Sequence, residues 1–169
     1  MLSPLFILRP MEHDDLPAVD DLLDLAFGPG RHARTASRLR EGVAPDFNLS
    51  LVALFGGRLG GTLTMTPMRI GNHPALLLGP LAVHPDFEGK GAGRALVRAA
   101  LAAAAERGHE IVLLVGDEPY YGPLGFEHVS PQKIQLPGPV APNRVLVAEL
   151  KPGALAQVSG LCMRALKAS

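Results

Sequence analysis

Apolar residues alternate with polar ones, recur at helical spacing, or run together in short blocks, and the three patterns follow one another in a definite order. A short β-type run at residues 5–8 precedes Asp14-Asp15-Leu16-Pro17, where early acids and a proline mark a helix start. Leu16, Val19, Leu22, Leu23 and Ala26 then recur at helical spacing until Gly28-Pro29-Gly30 ends the pattern. Residues 31–40 form a weaker, basic helical stretch. Two apolar strand runs, 51–55 and 59–70, flank Gly56-Gly57, a doublet that permits positive φ in a tight hairpin. A second turn, Gly71-Asn72-His73-Pro74, leads into residues 76–83, so the three runs predict an antiparallel meander.

The period changes after His84-Pro85. Leu96, Val97, Ala100, Leu101 and Ala104 form one helical stripe, Gly108 ends it, and residues 111–115 are a continuous apolar run of strand length. This strand–loop–helix–strand order predicts that 76–83 and 111–115 lie parallel. A short helix or turn at 120–125, a strand at 126–129, and a last strand at 144–150 after a loop rich in Pro and Gly complete the pattern. The expectation is an α+β fold with a mixed sheet, and 169 residues suit one domain spanning 1–169.

Composition narrows the function classes. Sixteen Lys and Arg balance sixteen Asp and Glu, which argues against a nucleic-acid partner, because such domains carry a basic excess. The single cysteine, Cys162, excludes an internal disulfide, and no Cys and His cluster has zinc spacing. The N-terminal apolar run has no basic leader and stops at Pro10, and the Ala-rich stretch 95–105 is interrupted by Arg98. It is well short of the ~20 apolar residues of a membrane span. A cytoplasmic protein with no membrane association is expected.

The chemistry is carried by Leu81-Ala82-Val83-His84-Pro85-Asp86-Phe87-Glu88-Gly89-Lys90-Gly91-Ala92-Gly93-Arg94, a strand, a loop with three glycines and a helix opening. Glycines let the backbone approach a ligand, and the unpaired N–H groups of a helix's first turn favour an anion such as a pyrophosphate. A loop that merely connects strand to helix is the competing interpretation. A nucleoside-triphosphate loop is disfavoured because Lys90 is followed by Gly91 rather than Ser or Thr. A dinucleotide fingerprint is disfavoured because Arg94 stands at the required third glycine.

This segment resembles the acetyl-CoA-binding motif of GCN5-related N-acetyltransferases, written Q/R-x-x-G-x-G/A, with Gly91 and Gly93 at its glycines. Tyr121-Gly122-Pro123-Leu124-Gly125-Phe126 is similar to that family's Y-x-x-x-G-F segment, and residues 115–126 look most like the YhbS-type acetyltransferases. The resemblance covers the chain to about Leu150. It implies a central mixed sheet, flanked by helices, whose fourth and fifth strands splay apart. It also implies acetyl-CoA as cosubstrate and an amine, of a small molecule or a protein, as acceptor; members are often homodimers.

Residue by residue, the resemblance implies that the backbone of Glu88, Gly89, Lys90, Gly91, Ala92, Gly93 and Arg94 surrounds the pyrophosphate, with Lys90 and Arg94 adding positive charge. Leu81, Ala82 and Val83 would pair with pantetheine, the Leu81 N–H donating to the acetyl oxygen. Pro80, which has no N–H, would interrupt the ladder at the splay. Tyr121 would be the general acid toward the leaving thiolate, since its phenol has a reference pKa of ~10, with Tyr120 the neighbour most easily confused with it. Glu88 departs from the family's Gln or Arg: it either turns away to cap the helix or weakens the cofactor site. No carboxylate lies in 76–83, so the base is Asp117, Glu118 or water; His84 supports its loop, and His13, His32, His73, His109 and His128 have no ligand spacing. By their charge alone, Arg31, Arg34, Arg38 and Arg40 form either a solvated basic face or a site that favours an acidic acceptor. An acyl-CoA-binding regulatory or interaction module with little transferase activity is the alternative, and a longer acyl donor is a third.

Overall fold

The computed structural model describes residues 5–165. Residues 1–4, before the N-terminal apolar run, and residues 166–169 lie outside the described residues. Strands β1 (Ile7–Pro10), β2 (Leu51–Phe55), β3 (Arg58–Ile70), β4 (His73–Val83) and β5 (Ile111–Val115) are followed by β6 (Glu127–His128), β7 (Ile134–Gln135), β8 (Val145–Glu149) and β9 (Gly160–Arg164). The main path of the sheet runs β1-β2-β3-β4-β5-β8-β6, antiparallel except for the β4–β5 pair. This is the mixed α+β sheet that the apolar pattern predicts.

Helices α1 (Leu16–Phe27) and α2 (Ala92–Glu106) cover opposite faces of that sheet, and the alternation along the strands explains why both faces are apolar. Leu76, Leu78, Val112 and Leu114 pack with Leu96, Val97 and Ala100 of α2. Leu77, Ile111 and Leu113 point the other way into a second cluster, while α1 places Val19, Leu22 and Leu23 on Val52 and Ala82. Burying a side chain such as Leu96 contributes ~1.5–3 kcal/mol, so the stripe on α2 is ample to fix the helix on the sheet. The start of α1 is held by Asp15, whose carboxylate accepts from Arg9 Nη1 and Nη2 at 2.7 and 2.8 Å and from the Glu12 N–H at 2.8 Å.

One segment differs from the sequence expectation, and the C-terminal stretch adds a strand to it. Residues 31–40 form two 3-10 turns, Pro29–Ala33 and Thr35–Leu39, separated by Arg34 in extended conformation. Leu39 is the one buried residue of these turns, so no apolar stripe holds a continuous helix there. The C-terminal stretch supplies β9, which packs on its own domain by pairing with Met68–Ile70 of β3. Short β7, from the Pro/Gly-rich loop, joins β9 in parallel.

Candidate active site

The ladder between β3 and β4 slips where Pro80 stands. Leu63 lies opposite Leu81 and Met65 opposite Leu78, so Thr64 faces both Gly79 and Pro80: a β-bulge. On its other edge β4 meets β5 only through Leu76–Val112 and Leu77–Leu113. Beyond that point the two strands part, and a cavity of about 1350 Å³ opens between residues 79–83, residues 114–117, a helical turn α3 (Glu118–Tyr121) and the segment 31–41.

Helix α2 starts beside this opening, and its start carries no side-chain cap. The loop before it folds back through Gly89 and Gly91, at φ +78° and +84°, values that favour glycine. The first N–H to reach a carbonyl inside the helix is that of Ala95, which donates to Gly91 O at 3.1 Å. The N–H groups of Gly89, Lys90, Gly91, Ala92, Gly93 and Arg94 have no acceptor among the described residues. Such consecutive free donors at the positive end of a helix dipole form an anion cradle. Lys90 and Arg94 are exposed and outside any ion pair among the described residues, so their charge is available to the same anion. Glu88 is exposed, and its side chain does not cap α2.

Leu81, Ala82, Val83, Gly93 and Tyr121 all border the cavity, so the structure brings the strand, helix and tyrosine candidates together. Glu88, Gly89, Lys90, Gly91 and Arg94 lie on the exposed loop and helix start next to it, and the Ala92 methyl is buried under α2. Tyr121 is half-buried, edge-on to Phe126 at 5.8 Å between centroids, and packed close against Gly116, where a Cβ would sit 2.6 Å from its ring. Burial, then Tyr120 and Asp117, push its phenol up to about 12, against the smaller pull of Arg144. Tyr121 is thus a neutral hydrogen-bond donor throughout the physiological range.

The candidate bases fare differently. Asp117 borders the cavity but its Oδ1 lies 3.3 Å from Arg144 Nε, while Glu118 turns toward Gly122 and a neighbouring hollow. His84 Nδ1 accepts from the Asp86 N–H at 3.0 Å and its Nε2 lies 3.3 Å from Arg58 Nη2, which gives it the loop-supporting place expected. Among the described residues no group of three or more His, Cys, Asp or Glu is arranged to hold a metal, and no helix is long and apolar enough to cross a membrane. Sequence reasoning gave no role to Tyr120, whose hydroxyl reaches the first turn of α2, and no distinct role to Arg40, which reaches the bulge. A tyrosine doublet and a basic run are the only marks that either leaves in the sequence.

Strands that part at a bulge, next to a helix start made of free backbone donors, define the architecture of the acyl-CoA N-acyltransferases. Residues 8–129 match the model of the acetyltransferase (GNAT) domain, and the chain belongs to that family. It is 27% identical over 132 residues to the uncharacterized N-acetyltransferase YjhQ of Escherichia coli strain K12, covering 76% of this chain and 73% of that protein. Its fold is similar to the GNAT family N-acetyltransferase YhbS of Escherichia coli in complex with CoA, at a TM-score of 0.83 and 27% identity over 98% of this chain and 92% of that one. A Brucella melitensis GNAT family acetyltransferase in complex with acetyl-CoA shares the fold at a TM-score of 0.60 and 24% identity, over 85% of this chain and 96% of that one.

Proposed function

We propose that this chain transfers the acetyl group of acetyl-CoA to the amine of an acceptor. The observation that carries the proposal is the run of free N–H groups from Gly89 to Arg94 at the mouth of the gap between β4 and β5. A pyrophosphate fits donors of this kind, and an extended thioester arm fits a strand edge that has lost its neighbour past Leu77. Bound acetyl-CoA supplies an activated acyl carbon and a thiolate leaving group.

In this reading Gly89, Gly91, Ala92, Gly93 and Arg94 hold the diphosphate through their backbone, and Lys90 and Arg94 add charge. Leu81, Ala82 and Val83 line the arm, and the Leu81 N–H donates to the acetyl oxygen as charge develops on it. The amine lone pair attacks the carbonyl carbon, the C–S bond breaks, and the electron pair leaves on sulfur. Tyr121, kept protonated by its burial, gives its proton to that sulfur and regains one from water in the cavity. The amine proton leaves through water in the cavity or to Asp117 at its border, whose Oδ1 lies 3.3 Å from Arg144 Nε without a hydrogen bond. The enzyme works in the cytoplasm, where a lone thiol such as Cys162 stays reduced.

Thermal unfolding with acetyl-CoA, CoA, ATP and NAD in parallel tests the proposal. A ligand at ~100 times its dissociation constant adds ~2.7 kcal/mol of stability. Stabilisation by the two CoA species alone is expected, followed by thiol release that depends on an added amine. No stabilisation by millimolar acetyl-CoA sinks the proposal, whereas slow hydrolysis indifferent to every amine supports the binding-module alternative.

A further inference from the structure

Five arginines border the cavity, and what each already touches separates them. Arg31 is neutralised by Asp24 at 2.8 Å and Asp20 at 3.5 Å. Arg38 is spent on the Pro137 carbonyl at 2.7 Å, Arg34 lies over the Phe27 ring at 5.1 Å, and Arg144 is paired in charge with Asp117 at 3.3 Å, though its Nε makes no hydrogen bond. Arg40 has neither a carboxylate nor an aromatic ring beside it among the described residues. Its Nε donates to the Gly79 carbonyl at 3.1 Å and its Nη1 lies 3.5 Å from Ser37 Oγ, while Nη2 has no protein acceptor among the described residues. No carboxylate among them pairs with it; Glu41, the next residue, is exposed at the rim and makes no ion pair with it.

The position is built for this side chain. Gly79 stands in the bulge at φ +125°, and a Cβ there would lie 3.3 Å from Arg40 Nη2, so the glycine leaves room for the guanidinium. Gly79 precedes Pro80 and Leu81, the part of β4 that faces the acyl end of the gap. Burial first, then the repulsion of Arg31 and Arg34, lower the Arg40 pKa to about 10. A cation kept half out of water without a counter-ion is costly unless a ligand supplies one, and a guanidinium is shaped to take a carboxylate on two prongs.

Resting on the acetyltransferase reading above, we propose that the acceptor is an amine that also carries a carboxylate, and that Arg40 binds this carboxylate at the β4 bulge. The carboxylate then orients the amine toward the acyl carbon. The site selects amino-acid-like acceptors over plain amines of the same size.

The test uses the full chain saturated with CoA, titrated calorimetrically with a panel of N-acetyl-amino acids and the matching N-acetyl-amino acid carboxamides, which mimic the acetylated product. Each carboxylate is expected to bind about tenfold or more tightly than its carboxamide, the value of a charge-assisted pair. In Arg40→Gln, which keeps a donor for the Gly79 carbonyl, the gap shrinks to about twofold, with Arg40→Lys intermediate and CoA affinity within about threefold of wild type. Equal binding of the two series, a gap that survives Arg40→Gln, or no saturable binding of any carboxylate up to ~10 mM overturns the inference. So does a large loss of CoA affinity in Arg40→Gln, which would give the residue to the cosubstrate. Failure of the wild-type chain to bind CoA sinks the transferase reading first, and is read separately from carboxylate selectivity.

Discussion

The Tyr120 hydroxyl lies 2.6 Å from the point where a Cβ on Gly93 would stand, and the ring carbon that bears it lies 3.9 Å away. The third glycine of the loop is therefore a matter of space: its helical position would accept alanine, and only the hydroxyl of α3 refuses it. Gly93→Ala should lose ~1–3 kcal/mol through overpacking, outweighing the helix propensity gained. Combined with Tyr120→Phe, which removes the colliding atom, the same change should become neutral or stabilising. Urea midpoints of the two single variants and the double variant give the coupling; strict additivity would show that the contact is not the cause.

Tyr121 and Tyr120 differ in what they meet at the cavity, and kinetics should separate them. Tyr121→Phe is expected to lower kcat by ~10²–10⁴ with acetyl-CoA affinity nearly intact, while Tyr120→Phe costs far less. The pH profile carries an independent check. A donor must stay protonated, and burial has moved this phenol upward to about 12, so its ionisation should not depress the rate near pH 10. A fall in kcat centred at the ordinary phenol value, absent in Tyr121→Phe, would contradict this environment for Tyr121.

Much of this site was legible because its signals are local. The Gly56-Gly57 hairpin, the stripe from Leu96 to Ala104 and the apolar run of β5 each fix an element within a few residues, and Pro80 announces the bulge by its missing donor. The rest depends on partners distant in sequence. β9 exists because Met68 finds Arg164 across the chain, and no local pattern encodes that register. The segment 31–40 reads as helical by propensity but buries Leu39 alone within its turns, so contacts with distant carbonyls, Arg38 to Pro137 and Arg40 to Gly79, decide its path. Those contacts single out Arg40 within a basic run whose members look alike on paper.

Cys162 ties the alkaline limb of stability to the strand that sequence did not foresee. It is fully buried in β9, and burial pushes its thiol up to about 12. A group whose pKa is raised on folding lends stability below its unfolded value and withdraws it as pH climbs through the folded one. Stability should therefore decline from about pH 9 toward pH 12, with Tyr121 joining from about pH 10. Cys162→Val, close in volume, should flatten the first part of that decline in urea titrations, and the native thiol should resist a thiol reagent at pH 8 until the chain unfolds. Rapid labelling of the folded chain would place Cys162 outside the core.

Glu88 is a charge that works against the anion cradle. It is exposed one residue before the free N–H groups, does not cap the helix, and stands where the resembled motif carries a neutral or cationic donor. A like charge near a diphosphate raises the dissociation constant, but solvent screens an exposed group, so the penalty is modest, ~0.3–1 kcal/mol. Glu88→Gln should therefore tighten acetyl-CoA by about two- to fivefold at low salt and leave folding stability unchanged. At 0.5 M salt, where the screening length falls to roughly half its value at 0.1 M, the gain should largely vanish. Calorimetric titration of both proteins at the two salt concentrations decides it: a gain that persists in high salt would point to a new hydrogen bond from the glutamine, and no gain at either would place the carboxylate outside the field of the bound diphosphate.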